Sequence, residues 1–214
     1  MDYASRAARW LLGATAHPGG IALSRHLLDL LIVRGLTPGA LVVDVACGRG
    51  GTLDLLAGRG LLSVGIDLAS SHPRAVVGDA QALPLRSGVW DAVVCECSVS
   101  TFADPRQALA EAARLLRPGG LLAMTDVVLH RDRAEPQVVA AIDRLTCART
   151  LPGYADLLAA TGFDVVATED RSSDALALLR RIRHRLPWSR TVRRCEQAVR
   201  SGSLSYGLLV ARLR

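Results

Sequence analysis

Residues 42–51 have the sequence Val42-Val43-Asp44-Val45-Ala46-Cys47-Gly48-Arg49-Gly50-Gly51, and this stretch decides the fold. It begins as an apolar strand, carries an acidic residue and runs into a glycine-rich turn, after which residues 52–57 predict a helix. Strand, glycine turn and helix form the first unit of a nucleotide-binding α/β sheet, in which glycine lets the backbone approach a ligand. Because such a turn is a weak indication by itself, the prediction depends on the segments that follow.

Four later segments strengthen the prediction. A second strand ends in Asp67, about 20 residues after the turn, where an adenosine ribose needs a carboxylate. It is followed by Gly78-Asp79-Ala80-Gln81-Ala82-Leu83-Pro84 and Trp90-Asp91-Ala92-Val93-Val94-Cys95, and then by Leu115-Leu116-Arg117-Pro118-Gly119-Gly120. With these ordered motifs, the chain from Val42 to Asp126 resembles the class I S-adenosylmethionine (SAM) methyltransferases. Nucleotide-binding dehydrogenases share the first turn but would not be expected to carry the later motifs.

The resemblance implies a single α/β domain over residues 1–214, with N-terminal lid helices in 1–38 and a Rossmann-like core in 39–214. The core is expected to be a doubly wound, seven-stranded sheet whose last strand is antiparallel. We expect strands near residues 41–46, 62–67, 75–78, 91–96, 121–128, 163–168 and 205–213. Helices are expected at residues 2–13, 21–34, 104–116, 136–148, 153–160, 172–185 and 188–200. Residues 68–74 are too few for the usual crossover helix, so we expect a loop that leaves the adenine side more open.

The resemblance also implies SAM as the cofactor. The family places an acid before three alternating glycines, and these positions fall on Asp44, Ala46, Gly48 and Gly50, so that Ala46 replaces the first glycine. Asp44 would orient the ammonium group of the cofactor, Asp67 would accept both ribose hydroxyls, and Asp79 would meet the adenine. The cofactor-binding candidates are Asp44, Ala46, Cys47, Gly48, Gly50, Asp67, Leu68, Asp79, Ala80 and Glu96. The alternative is that the acids only cap helices and turns, and that Cys47 is a small packing residue.

Three cysteines are the candidates for the acceptor side of the reaction. Cys97 lies at the carboxyl end of the fourth strand, where open α/β sheets bind ligands, and Cys95 is expected to share its side of the strand but point deeper. Cys147 precedes the helix that leads to a Gly162-Phe163 strand start. The placement of Cys97 and Cys147 is similar to that of two cysteines in arsenite methyltransferases.

That resemblance implies that Cys97 and Cys147 bind a metalloid such as trivalent arsenic, which prefers soft thiolate ligands. A small-molecule thiol could complete the site. Two departures weaken the hypothesis, because no cysteine precedes Cys47 and Leu53 stands where a further one is expected. A selenium, tellurium or sulfur substrate remains an alternative. So does O-, N- or C-methylation of a small metabolite with Glu96 or His17 as the general base, although a turn-capping role is favoured for His17.

Composition limits the remaining classes of function. Half of the 214 residues are hydrophobic and no apolar run reaches 18 residues, which excludes a disordered chain and predicts no membrane-spanning helix. Five cysteines without a convincing export signal favour a reduced, cytoplasmic compartment.

The formal net charge is +6, and residues 171–214 hold 11 arginines against Asp174 and Glu196. Because no nucleic-acid motif accompanies them, we interpret these arginines as a solvated helical face and do not expect a nucleic-acid partner. A SAM-sensing or RNA-binding module without catalysis is the third class considered, and the oligomeric state is left open.

Overall fold

One seven-stranded sheet forms the centre of the protein. The computed structural model describes residues 17–70 and 72–214. The strands are β1 (Leu41–Val45), β2 (Leu62–Asp67), β3 (Ala75–Val77), β4 (Trp90–Glu96), β5 (Leu116–Leu129), β6 (Phe163–Asp170) and β7 (Leu204–Leu213). Their order across the sheet is β3-β2-β1-β4-β5-β7-β6. β7 lies between β5 and β6 and pairs antiparallel with both, whereas the other pairs are parallel, which confirms the predicted fold class.

The described part of the chain contains seven α-helices, of which the first precedes β1 and the others lie between strands. They are α1 (Gly20–Val33), α2 (Gly51–Gly58), α3 (Pro105–Leu115), α4 (Pro136–Asp143), α5 (Leu151–Ala159), α6 (Ser172–Arg185) and α7 (Arg190–Arg200). The predicted start of α3 is observed, because the Asp104 side chain accepts a hydrogen bond from the Gln107 amide at 3.0 Å and Pro105 occupies the first helical turn. The helix predicted at residues 2–13 lies outside the described residues.

Three helix boundaries and the start of one strand were predicted wrongly. β5 begins at Leu116 instead of residue 121. α7 begins at Arg190 instead of residue 188, because the Ser189 hydroxyl accepts from the Val192 amide at 3.3 Å and caps the helix.

α4 ends at Asp143 instead of residue 148, because the chain leaves the helix to reach the short 3-10 helix after β4 (Val99–Thr101), where the Cys147 amide donates to Ser100 O at 2.6 Å. α5 begins at Leu151, two residues before the predicted Gly153. The cause is Thr150, whose hydroxyl accepts from the Gly153 amide at 3.1 Å and caps the helix.

The core consists of two apolar layers, one on each face of the sheet. Alternate residues of β1 face opposite layers, so that Val42 packs on one side and Val43 on the other. Leu23, Leu27 and Leu31 of α1 are fully buried in the first layer, which α2, α4, α6 and α7 also cover. α3 and α5 cover the second layer. Each buried leucine contributes about 1.5–3 kcal/mol to folding, so α1 is an integral part of the core.

The connection between β2 and β3 is a loop without a helix, as predicted. The loop leaves that corner of the sheet thinly covered, since Leu68 is 73% exposed and Val77 66% exposed. No helix among the described residues is long and apolar enough to cross a membrane.

Candidate functional site

The turn after β1 alternates left-handed residues. Ala46, Gly48 and Gly50 have φ values of 59°, 52° and 80°. The Cys47 amide donates to Ile66 O at 3.1 Å, which joins the turn to β2, and the Gly50 amide donates to Cys47 O at 2.9 Å. Ala46 therefore adopts a conformation that favours glycine, at the position where the resembled family has its first glycine.

The Cys47 side chain packs against β2. A Cβ on Gly65 would lie 2.5 Å from Cys47 Sγ, so the two residues touch directly. Burial, followed by the negative charge of Asp44, raises the pKa of Cys47 to about 12. The thiol is therefore protonated at neutral pH, and the contribution of Cys47 to a ligand site comes from its backbone.

Asp67 is held in place by two backbone amides. Its Oδ2 accepts from Gly48 N at 2.8 Å, and its Oδ1 accepts from Ala69 N at 3.0 Å. A carboxylate can accept about four hydrogen bonds, so one further bond to each oxygen fits this geometry. A vicinal diol offers two such donors, and the oriented carboxylate is suited to a ribose.

Asp44 is a buried acid beside the turn. Only 3% of the residue is exposed, and its Oδ2 has no hydrogen-bond partner among the described residues. Burial, with the charges of Glu96 and Asp67, raises the pKa of Asp44 well above its ordinary range. A cation placed next to Oδ2 would favour the anionic form, so the orphaned atom fits the ammonium group that was expected here.

Asp79 and Ala80 lie at the thinly covered corner with Leu68. Asp79 is exposed and accepts from the Gln81 amide at 2.9 Å, whereas Ala80 is only 8% exposed. Gln81 also binds α3, because its Oε1 accepts from the Asp104 amide. These residues form a rigid, open wall that could meet an adenine edge.

Glu96 joins three elements around the end of β4. Its Oε1 accepts from Thr52 Oγ1 at 2.6 Å, and its Oε2 accepts from Ser24 Oγ at 2.8 Å. His17 Nε2 lies 3.7 Å from Oε2, and its Nδ1 lies 2.9 Å from Pro18 O. His17 is 7% exposed, so the histidine predicted to cap a turn contacts the turn backbone at Pro18 and also forms a buried pair with Glu96.

The sequence reasoning missed Ser24 and Thr52. Ser24 interrupts the apolar stripe of α1 between Leu23 and Leu27 and is 1% exposed. A polar residue inside a buried stripe normally has a hydrogen-bond partner, so its position could have indicated a partner on the sheet. Thr52 follows the glycine turn directly, and nothing in its sequence context distinguishes it.

Cys95 and Cys97 pack on opposite faces of the sheet, which corrects the expectation that they share a side. Cys95 is 2% exposed in the layer beneath α3 and α5, and burial raises its pKa. Cys97 packs against the other layer. The physical reason is that β4 ends at Glu96 and Cys97 has a φ of 54°, which breaks the two-residue alternation of the strand.

Cys97 is tied to β5 and β7. Its amide donates to Thr125 O at 2.7 Å, and Thr125 Oγ1 lies 2.8 Å from the hydroxyl of Tyr206. Burial and the charge of Asp126 raise the pKa of Cys97 to about 12, opposed by a hydrogen bond from Tyr206. The group is therefore a neutral thiol near pH 7.

Ser100 brings the segment of Cys147 beside that of Cys97. Cys147 is exposed, and its amide donates to Ser100 O. Asp126 holds Ser100 through its amide at 2.8 Å and its hydroxyl at 2.6 Å. Burial raises the pKa of both thiols, and the negative charge of Asp126 raises them further. Both cysteines thus belong to segments at one end of the sheet.

A metal centre does not form around this pair. Within residues 17–70 and 72–214, no group of three or more His, Cys, Asp or Glu side chains is placed to hold a metal ion. Cys97 and Cys147, the predicted metal ligands, would therefore provide two thiols and would need a third ligand from elsewhere.

Comparisons with known proteins show which proteins this chain is similar to. Residues 43–124 match the family described as a methyltransferase domain. The chain is 32% identical over 102 residues to a demethylmenaquinone methyltransferase of Renibacterium salmoninarum, covering 43% of each chain. It is 34% identical over 167 residues to nocamycin O-methyltransferase of Saccharothrix syringae, covering 66% of this chain and 59% of the relative. The chain thus spans about half the length of these curated relatives.

The fold matches solved methyltransferases over almost the whole chain. Geranyl diphosphate C-methyltransferase from Streptomyces coelicolor, solved with Mg²⁺, geranyl-S-thiolodiphosphate and S-adenosylhomocysteine, superimposes with a TM-score of 0.78. Its identity is 19%, and the alignment covers 99% of this chain and 85% of that one. Residues 43–124 therefore match a methyltransferase domain, and the chain has the fold of the solved methyltransferases.

Proposed function

We propose that the protein is a SAM-dependent methyltransferase that acts on a small organic molecule. The observation that carries the proposal is Asp67, whose carboxylate is fixed by the amides of Gly48 and Ala69 at the end of the left-handed turn. This arrangement suits a nucleoside ribose. The methyltransferase relatives and the matched domain support methyl transfer as the chemistry.

Each residue of the site would bind a different part of the cofactor. Asp67 would hold the ribose, the orphaned Oδ2 of Asp44 would face the ammonium group, and Asp79 with Ala80 would border the adenine. The turn at Ala46, Gly48 and Gly50 brings backbone close to the ligand. Bound SAM would supply an activated methyl group, and transfer from a sulfonium needs alignment and exclusion of water more than a strong base.

The Glu96–His17 pair supplies an acceptor for a proton. Methylation of a hydroxyl forms a bond from its oxygen to the methyl carbon, breaks the carbon–sulfur bond and releases the hydroxyl proton. The buried pair lies at the carboxyl ends of the parallel strands, where open α/β sheets bind ligands, and a carboxylate or a neutral imidazole can accept that proton. An oxygen acceptor is therefore the form of the reaction that we favour, as in the O-methyltransferase relative.

The metalloid hypothesis stays a prediction. It is favoured by the hydrogen bond between the Cys147 amide and Ser100 O, which places the two cysteine-bearing segments side by side. It is disfavoured by the raised pKa values of both thiols, since soft metalloids bind the thiolate. Selenium, tellurium and sulfur acceptors are subject to the same argument.

The first experiment is a SAM titration by calorimetry with wild type, Asp67→Ala and Asp54→Ala. Asp54 is the matched control, because it is an exposed acid on the adjoining helix that pairs with Arg74 at 2.6 Å. We expect Asp67→Ala to weaken SAM binding at least tenfold, as the loss of two hydrogen bonds to a charged group would do, and Asp54→Ala to leave it within about twofold. Equal affinities of wild type and Asp67→Ala would refute the site.

A turnover assay then identifies the acceptor. Wild type, Glu96→Gln, Cys97→Ser and Cys147→Ser would be tested with SAM against phenolic and other hydroxyl compounds, and against arsenite with a small thiol. We expect methyl ethers from wild type, with kcat reduced about 100-fold in Glu96→Gln and little changed in the serine variants. Methylated arsenic that disappears in both serine variants would establish the metalloid reaction instead.

A further inference from the structure

An inserted pair of helices separates the last two strands. β6 and β7 are antiparallel neighbours in the sheet, and such neighbours can be joined by a tight hairpin of about two residues. The chain instead places residues 171–203 between them, with α6 and α7 packed against each other. The sheet does not need this insertion for its connectivity, so its presence calls for another explanation.

The insertion is strongly and unevenly charged. It contains nine arginines and only two acids, Asp174 and Glu196. Because the whole chain has no lysine, the choice of arginine over lysine says nothing about the function of the insertion. Only the positions of the charges are informative. Asp174 pairs with Arg171 at 2.8 Å at the start of α6, which leaves the positive charge concentrated around Glu196.

Glu196 gathers three arginines from two helices. Its side chain is 9% exposed and lies 2.9 Å from Arg183 Nε, 3.2 Å from Arg200 Nη2 and 3.9 Å from Arg180 Nε. One carboxylate neutralises one of the three charges. A guanidinium carries five N–H donors in a fixed plane, so a buried carboxylate that binds one edge orients the rest of the group outward. The arginines are therefore held in place, unlike those of a freely solvated face.

Arg183, Glu196 and Arg200 border a depression of about 560 Å³ between the two helices. Its lining residues are Arg183, Arg193, Glu196, Gln197, Arg200 and Ser201. We propose that this depression binds the phosphate groups of a small phosphorylated molecule. Arginine guanidinium groups bind phosphate oxygens through paired hydrogen bonds, and the side-chain amide of Gln197 adds a neutral donor. The lining is confined to six residues of α6, α7 and the position after α7, which favours a compact ligand over an extended polymer.

The depression is separate from the proposed cofactor site. None of its lining residues contacts Asp44, Asp67 or Glu96 through a described hydrogen bond or ion pair, and it lies on the inserted helices instead of the parallel strands. The two proposals therefore stand or fall independently.

The test uses inorganic pyrophosphate as the probe, titrated into the full-length protein by calorimetry at about 50 mM salt. The variants are Arg183→Gln, Arg200→Gln and their combination. Arg106→Gln is the matched control, because Arg106 is an exposed arginine on α3, away from the depression. We expect saturable binding to wild type and to Arg106→Gln. Each single variant should bind about tenfold more weakly, and the double variant should lose measurable binding. SAM affinity should be unchanged in all four variants, which shows that they are folded.

Three results would overturn the proposal. The first is the absence of saturable pyrophosphate binding by wild type. The second is an equal loss in Arg106→Gln, which would indicate a general charge effect. The third is binding of a ten-nucleotide single-stranded RNA without binding of pyrophosphate, which would assign the surface to nucleic acid. An unfolded Arg183→Gln would be replaced by Arg193→Gln, since Arg193 has no described contact to Glu196.

Discussion

Ala46 holds a backbone conformation that glycine adopts at lower cost. Its φ of 59° is left-handed, which costs an L-residue about 1–2 kcal/mol. Glycine avoids this cost, but it is more flexible in the unfolded chain, which lowers the free energy of unfolding by about 0.5–1 kcal/mol. The position matches a glycine of the family pattern, so the turn has kept its shape while its residue changed.

Ala46→Gly is therefore expected to raise the free energy of unfolding by about 0.5–1 kcal/mol. Ala110→Gly is the control, because Ala110 lies exposed in the middle of α3 and glycine there lowers stability by about 1 kcal/mol. Urea denaturation of the three proteins gives the comparison. An Ala46→Gly variant as destabilised as Ala110→Gly would contradict the left-handed conformation.

Asp126 should make stability depend on pH. Burial raises its pKa to about 6 in the folded protein, above an ordinary value of 3.8. A carboxyl of this kind contributes its full stabilisation below the unfolded-state pKa and loses it as the pH rises through the folded-state pKa. The contribution should fall by about 2 kcal/mol between pH 4 and pH 7.

The measurement is the difference in unfolding free energy between wild type and Asp126→Asn across that pH range. The variant is less stable throughout, because asparagine cannot replace both oxygens that bind Ser100. The difference should shrink as the pH rises, since only the wild type bears the cost of the buried charge. A difference that grows with pH would show that the folded protein stabilises the anion.

At the scale of elements, the short β2–β3 loop is fitted against the glycine turn. A Cβ on Gly50 would lie 2.4 Å from the His72 ring, whereas a Cβ on Gly48 would meet nothing within 4 Å. Both glycines have positive φ. Gly48→Ala therefore introduces backbone strain alone, and Gly50→Ala adds a steric clash.

Gly50→Ala should be the more destabilising substitution, by about 1–3 kcal/mol beyond Gly48→Ala in chemical denaturation. Adding His72→Ala should recover most of that excess but leave the strain of the left-handed backbone. Equal destabilisation by the two glycine substitutions, or the absence of any recovery in the double variant, would show that the loop is not packed on the turn.

Local chemistry explains which elements could be predicted. The cap at Asp104 and the missing crossover helix follow from the sequence alone, because capping residues and loop length act locally. The early end of α4 does not, because its cause is the hydrogen bond from Cys147 to Ser100, a residue far away in the chain. Similarly, the left-handed Cys97 moves its side chain away from the face of Cys95, and alternation cannot reveal this.

Over the whole molecule, five free cysteines differ in accessibility. Cys147 is exposed, whereas Cys95 is 2% and Cys195 8% exposed. We expect one fast-reacting thiol in the native protein and five after unfolding, measured with a chromogenic disulfide reagent at mildly alkaline pH. Cys147→Ser should remove the fast phase and Cys195→Ser should leave it unchanged. A fast phase that survives in Cys147→Ser would place another thiol at the surface.

The candidate site was only partly predictable for a similar reason. Asp44, Asp67 and the turn lie close together in sequence and follow from motif spacing. The Glu96 pair with His17 and the cluster around Glu196 assemble residues from distant helices, and their partners depend on tertiary packing. Sequence patterns indicate which side chains could act in binding or catalysis, but the tertiary structure determines which of them are in contact.

The position of β7 has a consequence for biosynthesis. β6 pairs only with β7 in the sheet, and β7 also forms the border of β5. While the ribosome is still adding residues 204–213, β6 has no neighbouring strand and one edge of β5 has no hydrogen-bonding partner. A nascent chain at this stage exposes hydrophobic edges that invite chaperones or aggregation. Folding must therefore be completed after synthesis of the last strand, with the parallel half of the sheet as its template.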